Sequence, residues 1–187
     1  GGPAGLGCAA ELAQLGHAVT IFEKKPKAGG LNTYGIAMYK LTPETSLAEV
    51  ALVKSLGVEI RTGTEVGKDV TVAQLEKQYD AIFVGFGLGR TYRLGIPGED
   101  LPEVYEALDF IELLHTRSLD KVPVGKRVAV IGCGNTAIDA VTQAKRLGAT
   151  EATIVYRRGE ADMPAYPYEY ELAKKDGCSF LFHALPV

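Results

Sequence analysis

Gly132-Cys133-Gly134-Asn135-Thr136-Ala137 is the stretch whose residue types and spacing best suit chemistry. In the pattern Gly-x-Gly-x-x-Ala the first glycine allows a tight turn, and the second removes the side chain where a phosphate must approach the backbone. The small sixth residue lets the following helix lie close to its strand. The exposed N–H groups and partial positive charge at such a helix tip receive a pyrophosphate without any catalytic side chain. An earlier copy, Gly2-Pro3-Ala4-Gly5, carries the second and third glycines of the same pattern, whose first glycine would fall one position before Gly1. Two charged groups then stand where a ribose would lie. Glu23, followed by Lys24, offers a carboxylate to a free ribose diol, whereas Tyr156-Arg157-Arg158 offers guanidiniums that suit a 2′-phosphate and give a free 2′-hydroxyl no acceptor. The first copy therefore suits FAD or NAD, and the second suits NADP. The competing readings are an ordinary glycine turn and a solvated strand end.

These residues need elements to position them. Arg127 to Ile131 is an apolar run that reads as a strand feeding the second glycine turn, and the helix after it ends at Leu147-Gly148. Thr153 to Tyr156 is the next strand, Pro164 to Lys175 a helix, and Cys178 to Phe182 a last strand. In the first half, Leu6 to Leu15 reads as a helix ended by Gly16, and Ala18 to Phe22 as a strand. A loop carries Ala28-Gly29-Gly30-Leu31 on to Leu41. Thr42-Pro43-Glu44 opens a helix with the stripe Leu47, Val50, Ala51 and Leu56. Val58 to Ile60 is a short strand, Val72 to Tyr79 a helix, and Ala81-Ile82-Phe83-Val84 a fully apolar run expected as a central strand. Gly95-Ile96-Pro97-Gly98 breaks the pattern, and Val104 to His115 reads as a connecting helix.

The two halves repeat. Gly2 and Gly134, Gly5 and Ala137, and Leu15-Gly16 and Leu147-Gly148 are all separated by 132 positions. The expected fold class is α/β, with two Rossmann-like, doubly wound units in tandem and the first incomplete. The expected domains are a partial FAD-binding domain over residues 1–97 and a partial NAD(P)-binding domain over residues 98–187.

Composition narrows the classes. Lys+Arg 20 against Asp+Glu 23 leaves a net charge of −3, the wrong sign for a nucleic-acid binder. No apolar run is long enough to span a bilayer, and no signal peptide precedes the first motif. Cys8, Cys133 and Cys178 are odd in number and widely spaced, which fits a reducing, cytoplasmic compartment and argues against a disulfide scaffold. Cys8 and Cys133 read as packing, and Tyr166, Tyr168 and Tyr170 as aromatics packed on a partner. His17, His115 and His183 have no carboxylate or cysteine at ligand spacing, so no metal site is expected.

The sequence resembles the two-nucleotide flavoprotein module shared by the glutamate synthase small chain and the N-terminal part of dihydropyrimidine dehydrogenase. The matching residues are Gly2-Pro3-Ala4-Gly5-Leu6, Phe22-Glu23, Gly29-Gly30-Leu31, Tyr34-Gly35-Ile36, Lys40-Leu41, Ile96-Pro97-Gly98-Glu99, Gly132 through Asp139, Tyr156-Arg157-Arg158 and Met163-Pro164-Ala165. Gly85-Phe86-Gly87-Leu88-Gly89 looks more like the dihydropyrimidine dehydrogenase branch. The resemblance implies FAD on the first unit and NADP(H) on the second, NAD being the alternative, with hydride passing from nicotinamide to flavin. It would place Gly2, Pro3, Ala4, Gly5, Glu23, Lys24, Gly30 and Leu31 at FAD, and Gly132, Gly134, Asn135 and Thr136 along the nicotinamide dinucleotide. Arg157 and Arg158 would hold its 2′-phosphate. No catalytic acid or base is implied, because the hydride lands on the cofactor.

An iron–sulfur domain or larger catalytic subunit would receive the electrons. The family's cysteine-rich domain, the first strand and the C-terminal return segment do not occur in these residues, so the chain by itself is expected to hold FAD weakly and to be inactive. Exposed sheet edges leave homo-oligomerisation open. The alternative function is a dinucleotide-binding module without hydride transfer.

Overall fold

The computed structural model describes residues 1–89 and 91–187. The chain packs into two compact units, Gly1–Gly89 and Arg90–Val187. The Gly95–Gly98 break lies just inside the second.

In the first unit, α1 (Pro3–Gln14) begins with proline at its first turn, where the missing N–H costs nothing. Gly16, at φ +89°, takes the left-handed conformation that ends it. β1 (Thr20–Glu23) pairs in parallel with β2 (Glu59–Thr62), Ile21 opposite Ile60 and Glu23 opposite Thr62. The crossover carries α2 (Leu31–Tyr34) and α3 (Pro43–Ser55); Thr42 caps α3 by accepting from the Thr45 N–H. So the expected loop from Ala28 to Leu41 contains a short helix, and α3 turns Ser46, Val50 and Val53 inward while Ala51 and Leu56 face solvent. α4 (Val72–Gln78) opens with a capping box between Thr71 and Gln74. Leu6, Ala9, Ile21 and Val58 form the core.

Ala81–Val84 is not the expected central strand. Ile82, Phe83 and Val84 are 43%, 57% and 66% exposed, and among the described residues this unit's sheet consists of β1 and β2 alone. A parallel strand exists only where a neighbour takes its N–H and C=O groups, and apolar composition cannot supply that neighbour.

In the second unit, β3 (Arg127–Ile131), β4 (Glu151–Tyr156) and β5 (Ser179–Phe182) form a parallel sheet in the order β3-β4-β5. Ile131 sits opposite Val155, and Tyr156 opposite Phe182. α6 (Asn135–Arg146) and α7 (Pro167–Lys175) cover one face, where Val128, Val130, Ala152, Ile154, Phe180 and Phe182 point inward. The alternate residues Ile131 and Leu181 lie on the other face and are exposed, as the two-residue period of a strand requires. α5 (Ala107–Thr116) packs against α6 and buries Phe110, Ile111 and Leu114. It starts three residues later than Val104, and α7 starts at Pro167 rather than Pro164.

Candidate dinucleotide sites

In the second unit the site is a strand that bends into a helix. Gly132 leaves β3 at φ +110°, a conformation that favours glycine, and its N–H donates to the Val155 carbonyl at 3.0 Å. Gly134 is the N-cap of α6 in extended conformation, φ −87° and ψ 174°, so the helix starts at Asn135 with its first amides free of helical partners. Ala137 is buried where the helix meets the strand. A methyl group on Gly134 would come no closer than 4.0 Å to Pro164 Cγ, so protein packing does not demand glycine there. The open space is the room a phosphate needs to reach the backbone. Asn135 Oδ1 accepts the Tyr166 N–H at 2.9 Å and so fastens the start of α7 beside this loop. Cys133 is buried between, and desolvation pushes its thiol up, which marks it as packing.

At the end of β4, Arg157 and Arg158 are exposed and lie at the start of a braced turn. Tyr156 Oη donates to the Asp162 carbonyl at 2.9 Å, and the Gly159 N–H donates to Asp162 Oδ2 at 3.1 Å. Tyr170 Oη donates to Glu160 Oε1 at 2.8 Å, and burial, followed by that bond, pushes the Tyr170 hydroxyl up to about 12. Both carboxylates of the turn thus have partners of their own. Arg61, Arg93, Arg127 and Arg146 each hold a carboxylate. Among the described residues, neither Arg157 nor Arg158 does.

The first unit builds its loop differently. Gly2 is the N-cap of α1 with φ −84° and ψ −178°, nearly the conformation of Gly134. The Gly29 N–H donates to the Gly1 carbonyl at 2.7 Å, and a methyl on Gly30, at φ +56°, would sit 2.6 Å from Gly2 Cα. The glycine pair therefore lies backbone to backbone against the helix tip. Thr33 locks it: its hydroxyl donates to the Ala28 carbonyl and bonds Ser46 Oγ, both at 2.8 Å. Glu23 Oε1 accepts the Lys25 N–H at 2.8 Å, while Oε2 lies 3.2 Å from the Gly1 nitrogen. Pro3, Ala4, Lys24 and Leu31 are exposed, and Gly5 has no atom within 4 Å of where a Cβ would lie.

The structure thus gathers Gly2, Pro3, Ala4, Gly5, Glu23 and Gly30 at one helix tip, with Lys24 and Leu31 on its margins. It gathers Gly132, Gly134, Asn135 and Thr136 at another, with Arg157 and Arg158 at the next strand's end. Sequence reasoning did not anticipate the Asn135–Tyr166 bond or the Gly1–Gly29 bond. The only signal for the first was Met163-Pro164-Ala165, and its partner lies 31 residues away.

A parallel sheet whose strand turns through glycines into a helix defines a dinucleotide-binding fold. The chain belongs to the pyridine nucleotide-disulphide oxidoreductase family, which it matches over residues 1–183. It is 43% identical over 188 residues to the NADP(+)-dependent formate dehydrogenase subunit beta of Moorella thermoacetica, covering 99% of this chain and 26% of that protein. It is 40% identical over 194 residues to the glutamate synthase [NADPH] small chain of Halomonas elongata, covering 100% of this chain and 41% of that one. The chain spans less than half the length of these relatives. Among solved structures, Mycobacterium tuberculosis FprA in complex with NADPH is similar at a TM-score of 0.75 and 27% identity, over 94% of this chain and 46% of that one. Among the described residues, no helix is long and apolar enough to cross a membrane, and no group of three His, Cys, Asp or Glu could hold a metal ion.

Proposed function

We propose that this chain is the nucleotide-handling part of an NADPH-dependent flavoprotein oxidoreductase subunit, with NADP(H) on the second unit and FAD on the first. The observation that carries the reading is the pair of unpartnered guanidiniums, Arg157 and Arg158, one strand over from a glycine-opened helix tip. Gly134, Asn135 and Thr136 present backbone N–H groups to the pyrophosphate, and Gly132 makes the turn that aims them. The arginines bind the 2′-phosphate and discriminate against its absence. In the first unit the tip at Gly2, flanked by Gly30 and Leu31, takes the FAD pyrophosphate. Glu23 accepts from its ribose, with Pro3, Ala4, Gly5 and Lys24 around the phosphates. Once bound, the cofactors supply the redox chemistry, a hydride moving from the nicotinamide ring to the flavin; the chain contributes orientation and charge.

Electrons leave for an iron–sulfur domain or a larger catalytic subunit. This partner is supported by the similar formate dehydrogenase protein being a beta subunit and the glutamate synthase one a small chain. The second reading, a module that binds dinucleotide without hydride transfer, is favoured by the exposed run from Ile82 to Val84, which among the described residues leaves the first unit's sheet at two strands.

Calorimetric titration with NADP+ and NAD+ tests the main reading. NADP+ binds at least about tenfold tighter, and Arg157→Ala with Arg158→Ala removes that margin without changing NAD+ affinity. A preference for NAD+ contradicts it. Adding NADPH under anaerobic conditions, with FAD shown by titration to have filled its weak site, separates the two readings: bleaching of the visible flavin band supports hydride transfer, and an unchanged band with both nucleotides bound supports the module.

A further inference from the structure

We propose that His183 is a third cation of the 2′-phosphate pocket, making affinity for a 2′-phosphorylated nucleotide rise as the imidazole gains its proton. The inference rests on the reading of Arg157 and Arg158 given above and adds a residue and a pH dependence to it.

The sheet brings the three residues to one end of adjacent strands. Tyr156 on β4 is in register with Phe182 on β5, so the arginines and His183 leave adjacent strands side by side at their carboxyl ends. In parallel α/β sheets, ligands bind just beyond those ends. The chain is tied there: the His183 N–H donates to the Arg158 carbonyl at 3.1 Å, and the Ala184 N–H donates to the Tyr156 carbonyl at 3.1 Å. His183 has φ +54°, and among the described residues it is the one non-glycine residue in that region. Such a conformation costs free energy and persists where its surroundings impose it, often at a ligand site. It lays the imidazole on Gly159, the residue after the two arginines. A methyl on Gly159 would lie 3.2 Å from His183 Cε1 and 3.3 Å from Nε2.

Every other charged group at this turn has its own contacts. Asp162 Oδ2 accepts the Gly159 N–H and Glu160 Oε1 accepts the Tyr170 hydroxyl, so the carboxylates brace the turn. Among the described residues, no carboxylate pairs with His183, Arg157 or Arg158. Three basic residues meet at one glycine turn; Asp162 Oδ2, 3.6 Å from the same methyl position on Gly159, is held by the Gly159 N–H, and the excess of positive charge suits an anion carried by the nucleotide. A neutral imidazole has one N–H to give, and an imidazolium has two with a charge behind them. The bound phosphate therefore strengthens the protonated form, and by linkage protonation strengthens phosphate binding.

The test compares adenosine 2′,5′-bisphosphate with adenosine 5′-monophosphate by calorimetry at about pH 6 and about pH 8. His183→Asn is the variant, because asparagine tolerates the left-handed conformation and carries no charge. The phosphate titrates in the same range, but equally in wild type and variant, so their ratio isolates the imidazole. Wild type binds the bisphosphate about fivefold to tenfold tighter than the variant near pH 6 and about equally near pH 8, and the monophosphate shows no difference at either. A ratio that is the same at both pH values overturns the proposal, since a merely structural role does not follow the imidazole. If wild type binds the bisphosphate no tighter than the monophosphate, the arginine reading itself falls and takes the proposal with it. Arg157→Ala tells the two failures apart, because under a sound arginine reading it weakens bisphosphate binding whatever His183 does.

Discussion

The two glycine loops reach one geometry by different means. α1 and α6 are both 12 residues long, both begin after an extended glycine, and both end before a left-handed one. Yet α6 is buried continuously from Ala137 to Ala144, whereas α1 buries only Leu6 and Ala9. The second loop is held from behind, by a three-stranded sheet and by α5 and α7. The first is held from the front, by Gly29 and Gly30 pressed against the helix tip. A phosphate loop can thus be fixed by its core or by a second loop, and each makes different residues indispensable.

The largest expected effect breaks the first unit. Gly30→Ala places a methyl against Gly2 Cα and strains a left-handed backbone, costing about 2–4 kcal/mol in urea unfolding. Gly134→Ala, with open space and extended φ, costs less than about 0.5 kcal/mol but abolishes NADP+ binding. Equal stability losses at the two positions would erase the contrast. Of comparable size are the cores: Ile154→Ala, at a fully buried site, loses about 2–4 kcal/mol. Ile21→Ala loses less, because Ile21 sits in a smaller cluster at the unit's thin sheet.

A smaller effect sharpens the role of α7. Asn135→Ala removes the acceptor of the Tyr166 N–H, costing about 1 kcal/mol and lowering Tm by a few degrees. Gly5→Ala, in open space, leaves Tm essentially unchanged, so the third small residue is constrained by packing in the second unit and not in the first. The mildest test is chemical. Burial pushes the Cys178 thiol up to about 11, so its thiolate forms only as pH climbs toward that value. Alkylation near pH 8 followed by mass spectrometry should leave Cys178 unmodified in folded protein, and rapid labelling there would show the second core to be loose.

Strand β3, its glycine turn and α6 were legible because local residues dictate them: a β-rich run, Gly132 where φ must be positive, and a helix closed by Leu147-Gly148. Ala81–Val84 was misread because hydrophobicity encodes a preference for burial and not a pairing partner. α2 was hidden inside a glycine-rich segment that reads as loop. Of the site residues, the glycines and arginines announced themselves by type. Asn135's bond to Tyr166 and the placement of His183 beside Gly159 arise from contacts between distant parts of the chain, which no local pattern carries.

Backbone amide shifts on titration of NADP+ into isotopically labelled protein test the central claim most directly. The account predicts the largest changes at Gly132 to Ala137 and at Arg157 and Arg158, with those at Gly2 to Leu6 near zero. Shifts concentrated at Gly2 to Leu6, or spread evenly with none at Gly134 and Asn135, would contradict it.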